Sequence, residues 1–133
     1  MIDINKFLSG YIGCALWSTT DCREDDPDGN EPYNLDDEFN SVSDACKSAM
    51  LSDCEDFIKA NEADLEAFKE ATGRDDSDIG HDFWLTRSGH GAGFWDRGAD
   101  ELGDRLSDAC KPYGEFYLYG DFEMGCVRSH HYG

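Results

Sequence analysis

The N-terminal third of the chain has the hydrophobic spacing of amphipathic helices. Between residues 4 and 16 the apolar positions recur three and four residues apart, which predicts a helix with one buried face. These positions are Ile4, Phe7, Leu8, Tyr11, Ile12, Ala15 and Leu16. Asp3 is placed to cap this helix. Gly10 and Gly13 each weaken it by about 1 kcal/mol relative to Ala, unless another element packs closely there.

A second helical stripe begins after residues 41–44, whose sequence S-V-S-D resembles a capping box with Asp in place of Glu. The apolar positions behind it are Val42, Cys46, Ala49, Met50, Phe57 and Ile58. Residues 61–64 predict a break and a new helix start, and Gly73 is placed as a C-terminal cap.

After Gly80 the hydrophobic period changes from 3.6 to 2, which predicts strands. We expect a β-hairpin from strands 81–87 and 92–95, then a helix over 99–111 and strands over 115–119 and 122–128. The element order is α-α-(α)-β-β-α-β-β. The predicted fold is one α+β domain over 1–133, with N-terminal helices packed on a small antiparallel sheet of three or four strands. Its helical, acid-rich part is 1–78, and its β-hairpin/helix/β part is 79–133.

The net charge of the chain limits the classes of partner that the protein can bind. The 133 residues include 30 acidic and 11 basic side chains, for a formal net charge of −19. This charge argues against direct binding to nucleic acid through a basic patch, and it disfavours an anionic membrane surface. Eight Phe, six Tyr and three Trp argue against disorder, because aromatic side chains supply a core.

The cysteines and the N-terminal sequence predict an intracellular protein. Residues 1–6 lack the pattern of a signal peptide, and no apolar run is long enough to span a bilayer, so we expect a cytoplasmic protein. The six cysteines are Cys14, Cys22, Cys46, Cys54, Cys110 and Cys126, with no C-x-x-C pair. We expect them to be reduced and mostly buried. The adjacent His130 and His131 do not have zinc-ligand spacing, and no metal or cofactor is predicted.

The negative charge is concentrated in two segments. Residues 19–40 carry nine acids and one base, and residues 53–78 carry ten acids and three bases. Glu62, Glu66 and Glu70 repeat four residues apart, which destabilises a helix by about 0.2–0.5 kcal/mol per pair. Ion pairs of Glu55 with Lys59 and of Glu70 with Arg74 would reduce this repulsion. Folding alone does not require this arrangement.

Three explanations fit this acidity. Acidic surface can serve solubility. Glu24, Asp26, Asp28 and Gly29 have the spacing of a calcium loop, but position 12, which should be a bidentate Glu, is Leu35. The third explanation is imitation of the phosphate charges of nucleic acid, which would let the protein occupy a basic groove.

The segment 81–98 is the densest in chemically reactive residue types. Gly89, Gly91 and Gly93 invite a phosphate-loop interpretation, but a strand is predicted to follow where a helix is required. His90, or His81 nearby, could act as a general base with Asp82 or Asp96. The favoured interpretation is a structural hairpin. Its glycines supply positive φ and its Phe83, Leu85 and Phe94 fill the core, with Arg87 and Arg97 paired to Asp82 or Asp96.

This segment reads H-D-F-W-L-T-R-x-x-H-G-A-G-F-W-D-R-G. Together with residues 7–18 and Asp121, it resembles a family of small acidic proteins encoded by tailed phages and prophages, mostly without assigned function. The resemblance implies a phage accessory protein acting inside a bacterium, and it carries over no catalytic residue. Small acidic phage proteins include DNA mimics that block restriction or CRISPR nucleases.

The leading hypothesis is therefore a non-enzymatic inhibitor that mimics nucleic-acid charge and binds a basic bacterial defence protein. Its expected partner-binding residues are Glu24, Asp25, Asp26, Asp28, Glu62, Glu66 and Glu70. The alternatives are a phage protein-interaction domain whose acidity serves solubility, and a small enzyme using His90 or His81. The sequence does not indicate the oligomeric state.

Overall fold

Five α-helices and two small antiparallel sheets make up residues 1–22, 32–89 and 92–129, the part of the chain that the computed structural model describes. The helices are α1 (Ile4–Ser18), α2 (Leu35–Glu38), α3 (Asp44–Thr72), α4 (Asp76–Arg87) and α5 (Glu101–Cys110). The strands are β1 (Thr20–Cys22), β2 (Pro32–Asn34), β3 (Leu118–Asp121) and β4 (Cys126–Ser129). The predicted α+β class is confirmed. However, β1 pairs with β2 and β3 with β4 in two separate sheets, where one sheet was expected.

Helix α1 has the cap and the buried face that its sequence predicts. The Asp3 carboxylate accepts hydrogen bonds from the backbone N–H groups of Asn5 and Lys6, at 2.9 and 3.3 Å. Its buried side chains are Phe7, Leu8, Tyr11, Cys14, Ala15 and Leu16. This face packs mainly against α4, so the first and fourth helices form the centre of the fold.

Glycines allow α1 and α4 to approach at backbone distance. A Cβ atom at Gly10 would overlap the carbonyl oxygen of Ser77, and one at Gly80 would overlap the carbonyl oxygen of Phe7. Gly13 meets nothing within 4 Å. The close packing that would justify a glycine in α1 is therefore found at Gly10 but not at Gly13.

We expect Gly10→Ala and Gly80→Ala each to lower the free energy of unfolding by about 1–3 kcal/mol, because the added methyl group would push two helix backbones apart. Gly13→Ala is the matched control in the same helix, and it should raise stability by up to about 1 kcal/mol. Urea denaturation followed by circular dichroism measures all three. Equal effects of Gly10→Ala and Gly13→Ala would contradict the close crossing.

Helix α3 contains the break predicted within it. Its N-cap is Ser43, whose hydroxyl accepts from the N–H of Cys46 at 3.2 Å, two residues later than a capping box at Ser41 implies. Asn61 leaves the helical region, with φ −130° and ψ 19°. The helix ends at Gly73, which has φ 74° and donates its N–H to the carbonyl of Lys69 at 2.8 Å.

The predicted hairpin is wrong, and its first strand belongs to α4. The helix begins with a reciprocal capping box between Asp75 and Asp78. Its buried residues are Ile79, Gly80, Asp82, Phe83, Trp84, Leu85 and Arg87. They occur almost all round the helix, so no single apolar stripe reveals the 3.6-residue period. The expected returning strand is a 3₁₀ turn, Phe94–Asp96, and the proposed division at 78/79 falls inside α4.

The other elements match their predictions in part. Helix α5 lies within the predicted range 99–111. Strand β3 begins three residues later than the predicted strand 115–119 and ends two residues beyond it, and β4 begins four residues later than the predicted 122–128 and ends one residue beyond it. Residues 122–125 form the turn between them. Pro27, Gly29, Asn30 and Pro32 are typical of a loop and predict one over residues 19–40. This prediction is wrong for part of the segment, which contains β1, β2 and α2. Residues 23–31 lie outside the described part of the chain.

Buried aromatic side chains from α1, α3 and α4 form the centre of one hydrophobic cluster. The rings of Phe57 and Phe83 stack with centroids 4.1 Å apart, and Tyr11 meets Trp84 edge-on at 5.4 Å. The predicted burial of Phe83, Leu85 and Phe94 is confirmed. None of the helices in the described residues has the length and apolarity needed to span a bilayer.

The five cysteines whose side chains are described are free thiols. Cys14, Cys46, Cys54 and Cys110 are buried, as the helical stripe predicts for Cys46 and Cys54. Burial raises the pKa of Cys46 to about 11 and those of Cys14 and Cys110 to about 12. These thiols are therefore neutral at physiological pH and act as small core residues.

Candidate functional site

Glu62, Glu66 and Glu70 form a row, here called the acidic row, along the outer side of the second half of α3. Glu62 and Glu70 are exposed, and neither has an ion-pair partner among the described residues. The half-buried Glu66 pairs with the N-terminal ammonium of Met1 at 2.9 Å. Helical rise separates successive members by about 6 Å along the axis. The structure thus places the predicted glutamates together on one outward surface.

The two ion pairs that were expected to reduce this repulsion, Glu55 with Lys59 and Glu70 with Arg74, are absent from the described residues. Arg74 pairs with Asp82 instead of Glu70, and no ion pair joins Glu55 to Lys59. Among the described residues, the Met1 ammonium pairs with Glu66, and the Lys69 ammonium is also attracted to this carboxylate.

The basic side chains mostly pair with carboxylates of the same molecule. The described residues contain 25 acidic and 10 basic side chains. Seven of these ten bases form ion pairs with carboxylates of the described residues. They are Lys69 with Asp76, Arg74 and Arg97 with Asp82, Arg87 with Asp53, Arg105 with Asp64, Lys111 with Asp108, and Arg128 with Asp121. Because the cations are used in this way, the surplus of carboxylates defines the potential of the surface.

Helix α5 carries a second set of exposed acids, which the sequence reasoning missed. Glu101, Asp104 and Asp108 are exposed at positions i, i+3 and i+7. The helix packs against α3, and Arg105 bridges to Asp64 through both carboxylate oxygens at 2.9 and 3.3 Å. The spacing of these three acids within the predicted helix 99–111 could have revealed them. They were missed because they lie outside the two segments in which the negative charge is concentrated.

The remaining predicted partner residues cannot be placed. Glu24, Asp25, Asp26 and Asp28 lie outside the described residues, as do His90 and Gly91. Leu35, at position 12 of the calcium-loop spacing, is fully buried at the start of α2. In the described ranges no group of three or more His, Cys, Asp and Glu side chains could hold a metal ion.

Asp82 is fully buried and bound to two arginines, a set of three residues here called the Asp82 cluster. Arg74 donates from Nε to Oδ2 at 2.6 Å and from Nη2 to Oδ1 at 3.0 Å. Arg97 donates to Oδ1 from Nε at 3.1 Å and from Nη2 at 2.8 Å. The carboxylate therefore ties α4 to the α3–α4 link and to the segment after the 3₁₀ turn. The pairing of Arg97 with Asp82 is confirmed.

These contacts weaken the enzyme interpretation at two of its residues. Asp82 is occupied by guanidinium groups, so it is not available to orient an imidazole. Asp96 accepts the N–H of Gly93 at 3.1 Å and holds the 3₁₀ turn. Such a turn follows Gly93 where a phosphate loop requires a helix.

His81 lies half-buried beneath the exposed ring of Trp17, with ring centroids 6.1 Å apart. Burial lowers its pKa below the ordinary value, so the imidazole is neutral at neutral pH. Its buried Nδ1 has no hydrogen-bond partner among the described residues. A catalytic His is normally oriented by such a partner, so this geometry does not support His81 as a general base.

Arg87 is buried, and its expected pairing with Asp82 or Asp96 is wrong. It donates from Nη1 to Asp53 at 2.7 Å and to the Tyr11 hydroxyl at 2.9 Å. It also donates from Nε to the carbonyl of Gly114 at 2.9 Å and from Nη2 to that of Tyr113 at 3.0 Å. Arg87 thus connects the helical core to the segment that leads into β3.

The chain matches no protein-family model, no curated protein sequence and no solved structure.

Proposed function

We propose that the protein is a non-enzymatic inhibitor of the phage accessory type. Its acidic surface occupies the nucleic-acid-binding groove of a basic bacterial defence protein, of the restriction or CRISPR class. The protein carries no catalytic residue in this proposal and needs no cofactor.

The observation that carries the proposal is the acidic row on α3. A surface that served solubility alone would not need three glutamates on one helix face with a cost in helix stability. Nearby bases could neutralise the row, yet Arg74 is directed inward to Asp82. A DNA strand presents one charge per about 3.4 Å of axis, so the row supplies about half that density. The exposed acids of α5 add further negative charge beside α3.

We expect the protein to inhibit DNA cleavage by a nuclease of the restriction or CRISPR class, and uncleavable duplex DNA to reverse this inhibition competitively. Inhibition should weaken steeply between about 0.05 and 0.2 M salt, because the binding is electrostatic. A panel of purified nucleases, assayed with labelled DNA at both salt concentrations, measures this. Inhibition that DNA does not reverse, or no inhibition across the panel, would contradict the proposal.

The exposed aromatic residues support a second candidate, a protein-interaction domain whose acidity serves solubility. Among the described residues, five large apolar side chains other than Met1 are at least 41% exposed, namely Trp17, Trp95, Tyr117, Phe122 and Met124. Tyr and Trp are enriched in protein interfaces. Binding to a partner that neither salt nor DNA weakens would favour this candidate.

A further inference from the structure

A cavity of about 350 Å³ opens beside Arg87, between α3 and the segment that leads into β3. Its carboxylates are Asp53 and Glu115, and its aromatic walls are Tyr113, Phe116 and Tyr117. Cavities that bind small ligands have volumes of about 300–1,000 Å³. The size therefore suits one side chain or a small molecule.

The charges around this cavity favour a cation. Asp53 is paired with Arg87 through Oδ2, and nothing in the described part of the chain donates to its other oxygen, Oδ1. Glu115 is exposed, and its carboxylate raises the pKa of the Tyr117 hydroxyl, first by accepting its hydrogen bond and then by its negative charge. Asp56 lies just beyond the wall and accepts from the Tyr113 hydroxyl at 2.5 Å. The three carboxylates outnumber the one guanidinium.

Arg87 does not make this cavity an anion site. Its side chain is only 3% exposed, and four of its five N–H donors bond to protein oxygens. Its guanidinium also lies 5.6 Å from the ring centroid of Tyr113 and 5.4 Å from that of Phe116, which shields its charge further. An anionic ligand would meet Asp53 and Glu115 before this buried cation.

We propose that this cavity binds a guanidinium group, the side chain of an arginine on a basic partner. A planar guanidinium can stack on an aromatic face and donate to carboxylates at the same time, which an ammonium does less well. The half-exposed ring of Tyr117 supplies the face, and Asp53 Oδ1 and Glu115 supply the acceptors. This inference deepens the proposed function, because it adds a specific anchor to a diffuse acidic surface.

The test titrates the full, isotope-labelled chain with capped arginine (N-acetyl-arginine amide) and follows backbone amide shifts by NMR. We expect saturable shifts at Asp53, at residues 113–117 and at Ser129, which lines the same cavity. Capped citrulline is the neutral isostere and should cause no saturable shift, and capped lysine should bind several-fold more weakly. A short arginine-containing peptide should bind at the same residues as the free probe, if the ligand is a protein side chain.

Variants separate the cavity from general electrostatics. Glu115→Gln and Tyr117→Ala change exposed side chains, so folding should be preserved, and each should weaken arginine binding about fivefold to tenfold. Glu123→Gln removes the same charge from an exposed position outside both the acidic row and the cavity, and it should change the affinity less than twofold. Equal effects of Glu115→Gln and Glu123→Gln, or equal binding of citrulline, would overturn the proposal.

This experiment uses no nuclease, so its outcome is independent of the DNA-competition assay. Arginine binding without nuclease inhibition would retain the cavity and reject the proposed target class. Nuclease inhibition without arginine binding would retain the proposed target class and reject the arginine-binding cavity.

Discussion

Asp82→Asn is expected to lower the free energy of unfolding by about 3–5 kcal/mol, the cost of breaking a buried ion pair by removing one partner. Asn has nearly the same shape, but it is neutral, and its NH₂ group would face a guanidinium donor. With this NH₂ group in the place of Oδ2, the Nε–H of Arg74 would lose its acceptor, and the three hydrogen bonds to Oδ1 would lose the carboxylate charge. More than three quarters of each arginine side chain would stay buried. Urea denaturation of the variant, followed by tryptophan fluorescence, measures the loss.

Asp64→Asn is the matched control for this prediction, because Asp64 also binds an arginine, Arg105, through both oxygens. This pair lies at the surface, with side-chain exposures of 59% for Arg105 and 35% for Asp64. Its loss should cost less than about 1 kcal/mol, since water replaces the contact. If Asp82→Asn cost no more than Asp64→Asn, the Asp82 cluster would not be what holds the three chain segments together.

The elements that the sequence predicts well are those with one apolar face and local end signals. Helix α1 has the stripe and the Asp3 cap, and α3 has the stripe, the break at Asn61 and the Gly73 cap. Both sets of signals depend only on neighbouring residues. They therefore remain readable without knowledge of the tertiary packing.

Helix α4 shows where this reasoning fails. The helix's own buried residues occur almost all round its circumference. The apolar pattern from Phe83 to Leu85 is therefore as compatible with a strand as with a helix. The buried Asp82 and Arg87 add polar residues that mimic alternation, and all of their partners lie outside α4, between 8 and 76 positions away. The capping box between Asp75 and Asp78 was the one local signal for a helix.

The candidate site is predictable to a similar extent. Regular spacing within one helix was enough to place Glu62, Glu66 and Glu70 on one face. By contrast, the cavity at Arg87 joins Asp53 on α3 to Glu115, 62 positions later in the chain. No periodicity connects such residues, because only the tertiary fold brings them together.

Replacing Glu62, Glu66 and Glu70 together by Gln is expected to slow association with an inhibited nuclease about tenfold at low salt. Surface carboxylates act mainly on the association rate, through the long-range field that steers encounter. The difference should disappear near 1 M salt, where the screening length falls to about 3 Å. The triple variant should stay within about 1 kcal/mol of the parent stability, because relief of i, i+4 repulsion offsets the lost pairing of Glu66 with the Met1 ammonium.

The matched control removes the same three charges from scattered exposed positions, through Asp36→Asn, Asp44→Asn and Glu123→Gln. Both variants have the same net charge, so stopped-flow association rates compare the placement of charge alone. A slower rate for the acidic-row variant than for the control supports imitation of nucleic acid by this helix face. Equal rates would mean that only total charge matters, and the acidic row would then have no specific role in binding.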